Sequence, residues 1–222
     1  MKKLTLPLLL VSAFLLVEPA DAQVRFGVKA GVNVSNAKIQ DNDSFDPLIG
    51  FQGSLMADIS ISSKFSIQSA LRFVTKGFSS ETEFRDAQGQ FTGIGRSTFR
   101  TNYLELPVLM LYKVKIGESS QIFGGLGPYM AAGINGKSDF EGRIPAQRIV
   151  FGPKNDRPDG AYNRMDYGLA AAAGIERGRV VVAVNYNHGL TGISPDSQAF
   201  AVNFYNRSLG LTAGYWFGEQ AK

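Results

Sequence analysis

A chain of 222 residues has room for one domain with a sizeable core or two small ones. Its 44% hydrophobic and 19% charged content excludes a disordered chain, and a net charge of +4 without a localised basic stripe argues against nucleic-acid binding. Cysteine is absent, which excludes disulfides, Cys-ligated zinc, a Cys nucleophile and lipidation at cysteine.

The first element is MKKLTLPLLLVSAFLLVEPADAQ, with Lys2 and Lys3, an apolar stretch from Leu4 to Val17, then Ala20-Asp21-Ala22. That order of basic, apolar and small residues predicts a secretory signal peptide over 1–22, leaving residues 23–222 as the mature domain. The apolar run falls short of the ~20 residues a spanning helix needs. No later segment is apolar enough for one, so a membrane location would have to be reached with strands.

The mature sequence alternates with period two, the mark of β-strands. Residues 24–35 set Phe26, Val28, Ala30, Val32 and Val34 against Arg25, Gly27, Lys29, Gly31 and Asn33. Residues 49–61 and 65–76 repeat the pattern, with Asp58, Arg72 and Lys76 on the polar faces. In 103–115, Leu104, Leu106, Val108, Met110 and Tyr112 share a face, and Glu105 and Pro107 fall on the other. Four more candidates follow at 121–133, 165–176, 179–190 and 207–217, making eight. Long connections at about 36–47, 79–98, 134–164 and 191–203 alternate with short ones at 62–64, 117–120 and 177–178. This is the asymmetry of an eight-stranded antiparallel up-and-down transmembrane barrel, with short periplasmic turns and long outer loops.

Alternation alone does not say which face is inside, and a soluble lipocalin-like ligand-binding barrel is the alternative. Three features favour an inside-out arrangement. The polar face carries many glycines, which suit the cramped interior of a small barrel. Large aromatics of the apolar face gather near strand ends (Phe26, Phe51, Phe65, Tyr112, Tyr167, Tyr186, Tyr215 and Phe217), as interfacial girdles require. The leader delivers the chain to the compartment where such barrels assemble. On this reading Arg25, Lys29, Asp58, Arg72, Lys76, Glu105 and Asp166 form a polar network that plugs the lumen, because an unpaired buried charge is very costly. Pro107 deletes a ladder bond in a closed sheet, so a local bulge is expected there.

Y-L-E-L-P-V-L at 103–109, G-G-L-G-P-Y at 124–129, D-Y-G at 166–168 and Y-N-H-G-L-T-G-I at 186–193 resemble the outer-membrane β-barrel family of porin-family or PorT-like proteins. The resemblance spans about residues 24–217, with Glu105, Pro107, Gly127, Pro128, Gly168 and Gly189 as its motif positions. It implies a Gram-negative outer-membrane barrel inserted by the barrel-assembly machinery. It implies little about biochemical role beyond the link of PorT itself to a secretion system. One departure is that Gly218–Lys222 follow Phe217, where such barrels commonly end on an aromatic; the machinery is then expected to read Phe217 internally.

Little chemistry is visible. His188 is the only histidine, which excludes a His-rich metal site and leaves one rim constellation, His188 with Thr191 or Asp196, as a possible enzyme. DNDSFD at 41–46 departs from the calcium-loop pattern at its fifth and sixth positions, and GIGRST and GGLGPYM lack a full phosphate-loop pattern. No metal, cofactor or catalytic residue is expected. The expected protein is a structural or surface-interaction barrel. Its partners are outer-membrane lipid and, through 79–98 and 134–164, lipopolysaccharide or a protein; in the second segment Lys137, Arg143, Arg148, Lys154, Arg157 and Arg164 outnumber Asp139, Glu141, Asp156 and Asp159, and either meet lipopolysaccharide phosphates or are ordinary surface charge.

Overall fold

The computed structural model describes residues 24–38, 45–86, 88–140, 144–152, 161–194 and 203–217. The leader at 1–22, most of DNDSFD, Arg143, Lys154, Arg157 and Asp196 lie outside the described residues.

Among the described residues eleven strands run in chain order: β1 (Val24–Lys38), β2 (Asp46–Ser60), β3 (Phe65–Arg85), β4 (Phe91–Lys115), β5 (Ser120–Phe140), β6 (Ile144–Ile149), β7 (Phe151–Gly152), β8 (Tyr162–Asn163), β9 (Met165–Arg177), β10 (Val180–Gly189) and β11 (Tyr205–Trp216). Each of β1 to β5 pairs antiparallel with the next, β5 pairs with β9, β9 with β10, β10 with β11, and β11 returns to β1. The result is a ring of eight strands. Closure removes the free sheet edge, which in lipid would leave backbone donors and acceptors without partners.

The faces are inverted relative to a soluble barrel. Phe26, Val32, Phe51, Leu55, Leu71, Met110, Leu126, Leu169, Val184, Leu209 and Leu211 are exposed on the outside, while Arg25, Asp58, Glu105, Asp166 and Glu176 are buried inside. The lipocalin-like reading requires the opposite and is set aside. On β4 the outward apolar row runs from Leu104 to Val114, ten residue steps. At ~3.3 Å per step and a tilt of ~40° that is a band about 25 Å tall, the height of a barrel's lipid-facing belt. All eight aromatics expected in the girdles are exposed, with Phe26, Phe65, Tyr112, Tyr215 and Phe217 at the short-turn end and Phe51, Tyr167 and Tyr186 at the other.

Two expected loops contain strands. Most of 79–98 is a β-hairpin, with β3 continuing to Arg85 and β4 starting at Phe91 around a turn at Asp86–Gln90. The start of 134–164 belongs to β5, and β6 pairs back onto it. These extensions leave the lipid, so neither face needs an unbroken apolar row and the period-two signal fades.

The bulge expected at Pro107 is not there. Pairing with β3 lapses at Leu106 and Pro107 and resumes in the same register, and Ser69 Oγ donates to the Pro107 carbonyl at 3.2 Å. The missing N–H is accommodated by the lapse. The ladder's irregularity lies instead at Ile134: Tyr103 faces Gly133 and Asn102 faces Asn135, leaving Ile134 as the extra residue.

Candidate functional site

The inward side chains of β1, β2, β4 and β9 near the short turns meet in one cluster. Arg25 Nε donates to Asp58 Oδ2 at 2.9 Å, and its Nη2 donates to Glu176 at 2.8 Å. Lys113 pairs with Asp58 from across the barrel, and Gln121 donates to Glu176. Trp216 closes this layer: its Nε1 donates to Glu176 Oε1 at 3.1 Å, and the Arg25 guanidinium lies 4.1 Å from its ring centre.

A second layer is built around Glu105, only 1% exposed. Arg72 is paired with one of its oxygens and Lys76 Nζ lies 2.9 Å from the other, while Asn187 donates to the first. Lys76 also reaches Asp166 at 3.5 Å. Asp166 accepts from Tyr129 OH at 3.1 Å and from Asn206 Nδ2 at 2.9 Å. The Lys76 ammonium sits 4.9 Å from the Tyr129 ring centre and 5.3 Å from that of Tyr103. Lys29 stands between the layers, donating to Gln68 at 3.3 Å, beside a void of about 20 Å³, room for one water molecule.

The interior thus gathers Arg25, Lys29, Asp58, Arg72, Lys76, Glu105 and Asp166. Two charged members escaped the sequence reading, Lys113 and Glu176. Both were legible: Lys113 shares the inward parity of Glu105, and Glu176 that of Asp166. Among the family-motif positions, Pro128 faces outward and Gly127 inward, where a Cβ would run into the backbone of Val108 and Leu109. Gly168 leaves room for the Tyr129 ring, and Gly189 ends β10 beside Asp166.

The outer mouth is closed by aromatics that period-two reading could not find. Phe78 lies 4.2 Å from Phe45, 5.1 Å from Phe99 and 5.5 Å from Phe204 between ring centres. The tilted ring of Tyr162 lies 4.9 Å from Phe99, and Phe151 meets Tyr103 at 5.9 Å. These rings come from the segments before β2 and β11, from β3 and β4, and from the small parallel pair β7–β8. Burial in this cap holds the Tyr162 phenol above its ordinary pKa. Beneath the aromatics lie the charged layers.

His188 faces outward, its Nδ1 3.3 Å from Tyr186 OH, opposite Arg207. The Thr191 hydroxyl is occupied by the Tyr167 backbone, accepting from its N–H at 3.2 Å. No His, Cys, Asp and Glu group that could hold a metal exists among the described residues.

Three solved structures with similarity to the chain are small outer-membrane proteins. Ail, the attachment invasion locus protein of Yersinia pestis, is 14% identical with a TM-score of 0.43, the match covering 88% of this chain and 99% of that one. Neisserial surface protein A is 12% identical with a TM-score of 0.46, covering 86% and 96%. OprG of Pseudomonas aeruginosa is 14% identical with a TM-score of 0.42, covering 88% and 97%. No match is found among curated proteins. Residues 18–194 match the family described as outer membrane protein beta-barrel domain, a stretch that stops short of β11, the strand that closes the ring. An inside-out eight-stranded ring and a family match over most of the chain agree: the protein belongs to the outer membrane β-barrel domain family and is an outer-membrane protein.

Proposed function

We propose that this barrel works as a structural and surface-interaction protein, not as a pore or an enzyme, and that its activity resides in the outer hairpins. The observation that supports this reading is the crowding of the lumen, with two layers of ion pairs and a cluster of aromatics toward the long hairpins. A filled interior leaves only outward surfaces for recognition, and the largest of these are the β3–β4 and β5–β6 hairpins. Arg25, Lys29, Asp58, Arg72, Lys76, Glu105 and Asp166 then serve as a structural plug that fixes strand register. Catalysis at His188 is disfavoured because its ring touches a tyrosine instead of a nucleophile and Thr191 is engaged with backbone.

Residues 1–22 would act as the cleaved leader, and the barrel-assembly machinery would insert the mature chain, with Phe217 as its aromatic signal. Partners would be outer-membrane lipid and, through 79–98 and 134–164, lipopolysaccharide or a protein. A PorT-like link to secretion would also run through these hairpins. The test replaces residues 82–94 with a short Gly-Ser turn and compares cells carrying the two forms. Retained heat-dependent gel mobility with lost surface binding supports the reading. Retained mobility with every binding phenotype intact refutes it.

A further inference from the structure

Three cations stand side by side where the sheet leaves the lipid. Arg100 on β4 is directly opposite Lys137 on β5, and Lys137 is directly opposite Arg148 on β6. Direct partners lie on the same face of a sheet, so all three project outward, and all three are exposed. Neighbouring strands lie ~4.8 Å apart, and like charges directly opposite one another destabilise a ladder. Among the described residues no ion pair offsets this row. Asp139, two residues beyond Lys137 on the same face, makes no ion pair with any of them. By contrast Arg96, four residues beyond Arg100 on β4, sits 3.6 Å from both Asp46 and Glu81.

The row is also placed at a particular height. One step toward the membrane, Thr75 donates to Asn102 at 2.8 Å and Asn102 donates to Asn135 at 2.7 Å, a polar ladder across β3, β4 and β5. Below that begins the apolar belt, with Leu104 on β4 and Phe51 on β2. A hollow of about 530 Å³ spans this boundary, lined by Phe51 on its apolar side and by Thr75, Asn102, Asn135, Arg100 and Lys137 on its polar side. Its lower wall suits acyl chains, its middle offers amides for hydroxyls, and its upper wall offers positive charge.

We propose that the Arg100–Lys137–Arg148 row binds the phosphate groups of lipid A, the phosphorylated glycolipid of the outer leaflet. The proposal rests on the reading that the long hairpins lie on the outer side, and it names one binding surface within it. An anion in the membrane plane would supply the counter-ion that no described residue provides, and guanidinium groups pair with phosphate in bidentate fashion. A soluble acidic partner would meet the hairpin tips, not a hollow continuous with the lipid belt.

The full-length mature barrel, refolded in phosphatidylcholine vesicles doped with lipid A, provides the test. Lipid retained per barrel is read by native mass spectrometry. The wild type is expected to retain diphosphoryl lipid A with about tenfold preference over the same lipid stripped of both phosphates. R100Q/K137Q/R148Q is expected to lose that preference, while K64Q/K115Q, at the short-turn end, keeps it. Equal retention of the dephosphorylated lipid by the wild type would overturn the proposal without reliance on any variant. Equal retention by the triple variant would overturn it as well, as would equal competition by phosphatidylglycerol, which would make the site one for any anionic lipid. A wild-type chain that shows no heat-dependent gel shift would instead bring down the barrel reading itself, and the proposal with it.

Discussion

Replacing Glu105 with Gln keeps the shape of the side chain and removes one buried charge. In the folded protein Glu105 lies between Arg72 and Lys76, and Asn187 donates to it. Without its charge, Lys76 retains Asp166 at 3.5 Å and the Tyr129 and Tyr103 rings, and Arg72 retains the neutral oxygens of Asn187 at 3.1 Å and Gln52 at 3.4 Å. Breaking a buried pair by removing one partner costs about 3–5 kcal/mol, because the other charge stays buried and uncompensated. Glu105→Gln is therefore expected to lower unfolding stability by that amount. Adding Arg72→Met removes the stranded cation and leaves Lys76 and Asp166 one to one, so the double variant should recover at least half of the loss. Urea unfolding in detergent micelles measures both, and the single tryptophan, Trp216, is fully buried against Arg25 and reports on the fold. A Glu105→Gln loss below about 1 kcal/mol would refute the reasoning, as would additive losses in the double variant, since contacting residues must couple.

Three further outcomes are expected. Ala30→Lys, in the middle of the outward row of β1, should destabilise the barrel by about 2–4 kcal/mol in the same unfolding assay. Gly27→Val should cost about 1–3 kcal/mol, since a Cβ there would lie 2.6 Å from the Tyr215 carbonyl and 2.7 Å from both Met56 Cε and Trp216 Cε3. In planar bilayers the wild type should show none of the large, stable current steps of a wide porin, because the ring has eight strands and its interior is filled. Long-lived open steps would show that the cap and the ion pairs move together.

Period-two alternation was enough to place Glu105, Arg72, Asp58 and Asp166 on the inward face, because lipid on one side and a crowded lumen on the other impose opposite chemistry on successive residues. The same parity carried Lys113 and Glu176, which were legible and overlooked. Other features had no local signature. The extra residue at Ile134 inverts the facing of β5 beyond it, and only the pairing of Asn102 with Asn135 reveals that. Pro107 suggested a bulge, but a lapse in pairing on the β3 side absorbed the lost donor without shifting register. The aromatic cap joins Phe45, Phe78, Phe99, Tyr162 and Phe204, residues up to 159 positions apart, so it exists only once the ring is closed. The outer hairpins carry no period-two signal, because strands in water on both faces need no alternation. The cation row shows the same limit, since Arg100, Lys137 and Arg148 become neighbours only through the ladders β4–β5 and β5–β6.

The central claim is that the apolar face meets lipid and the polar face fills the lumen. The chain has no cysteine, so single cysteines can be placed at each position from 207 to 215 of β11 and labelled with a polarity-sensitive fluorophore. Measured in vesicles with a lipid-attached quencher, labels at 209, 211, 213 and 215 should be blue-shifted and quenched, and those at 208 and 212, inward positions that already carry a side chain, should not be quenched. Quenching that shows no alternation, or that alternates in the opposite phase, would contradict the account.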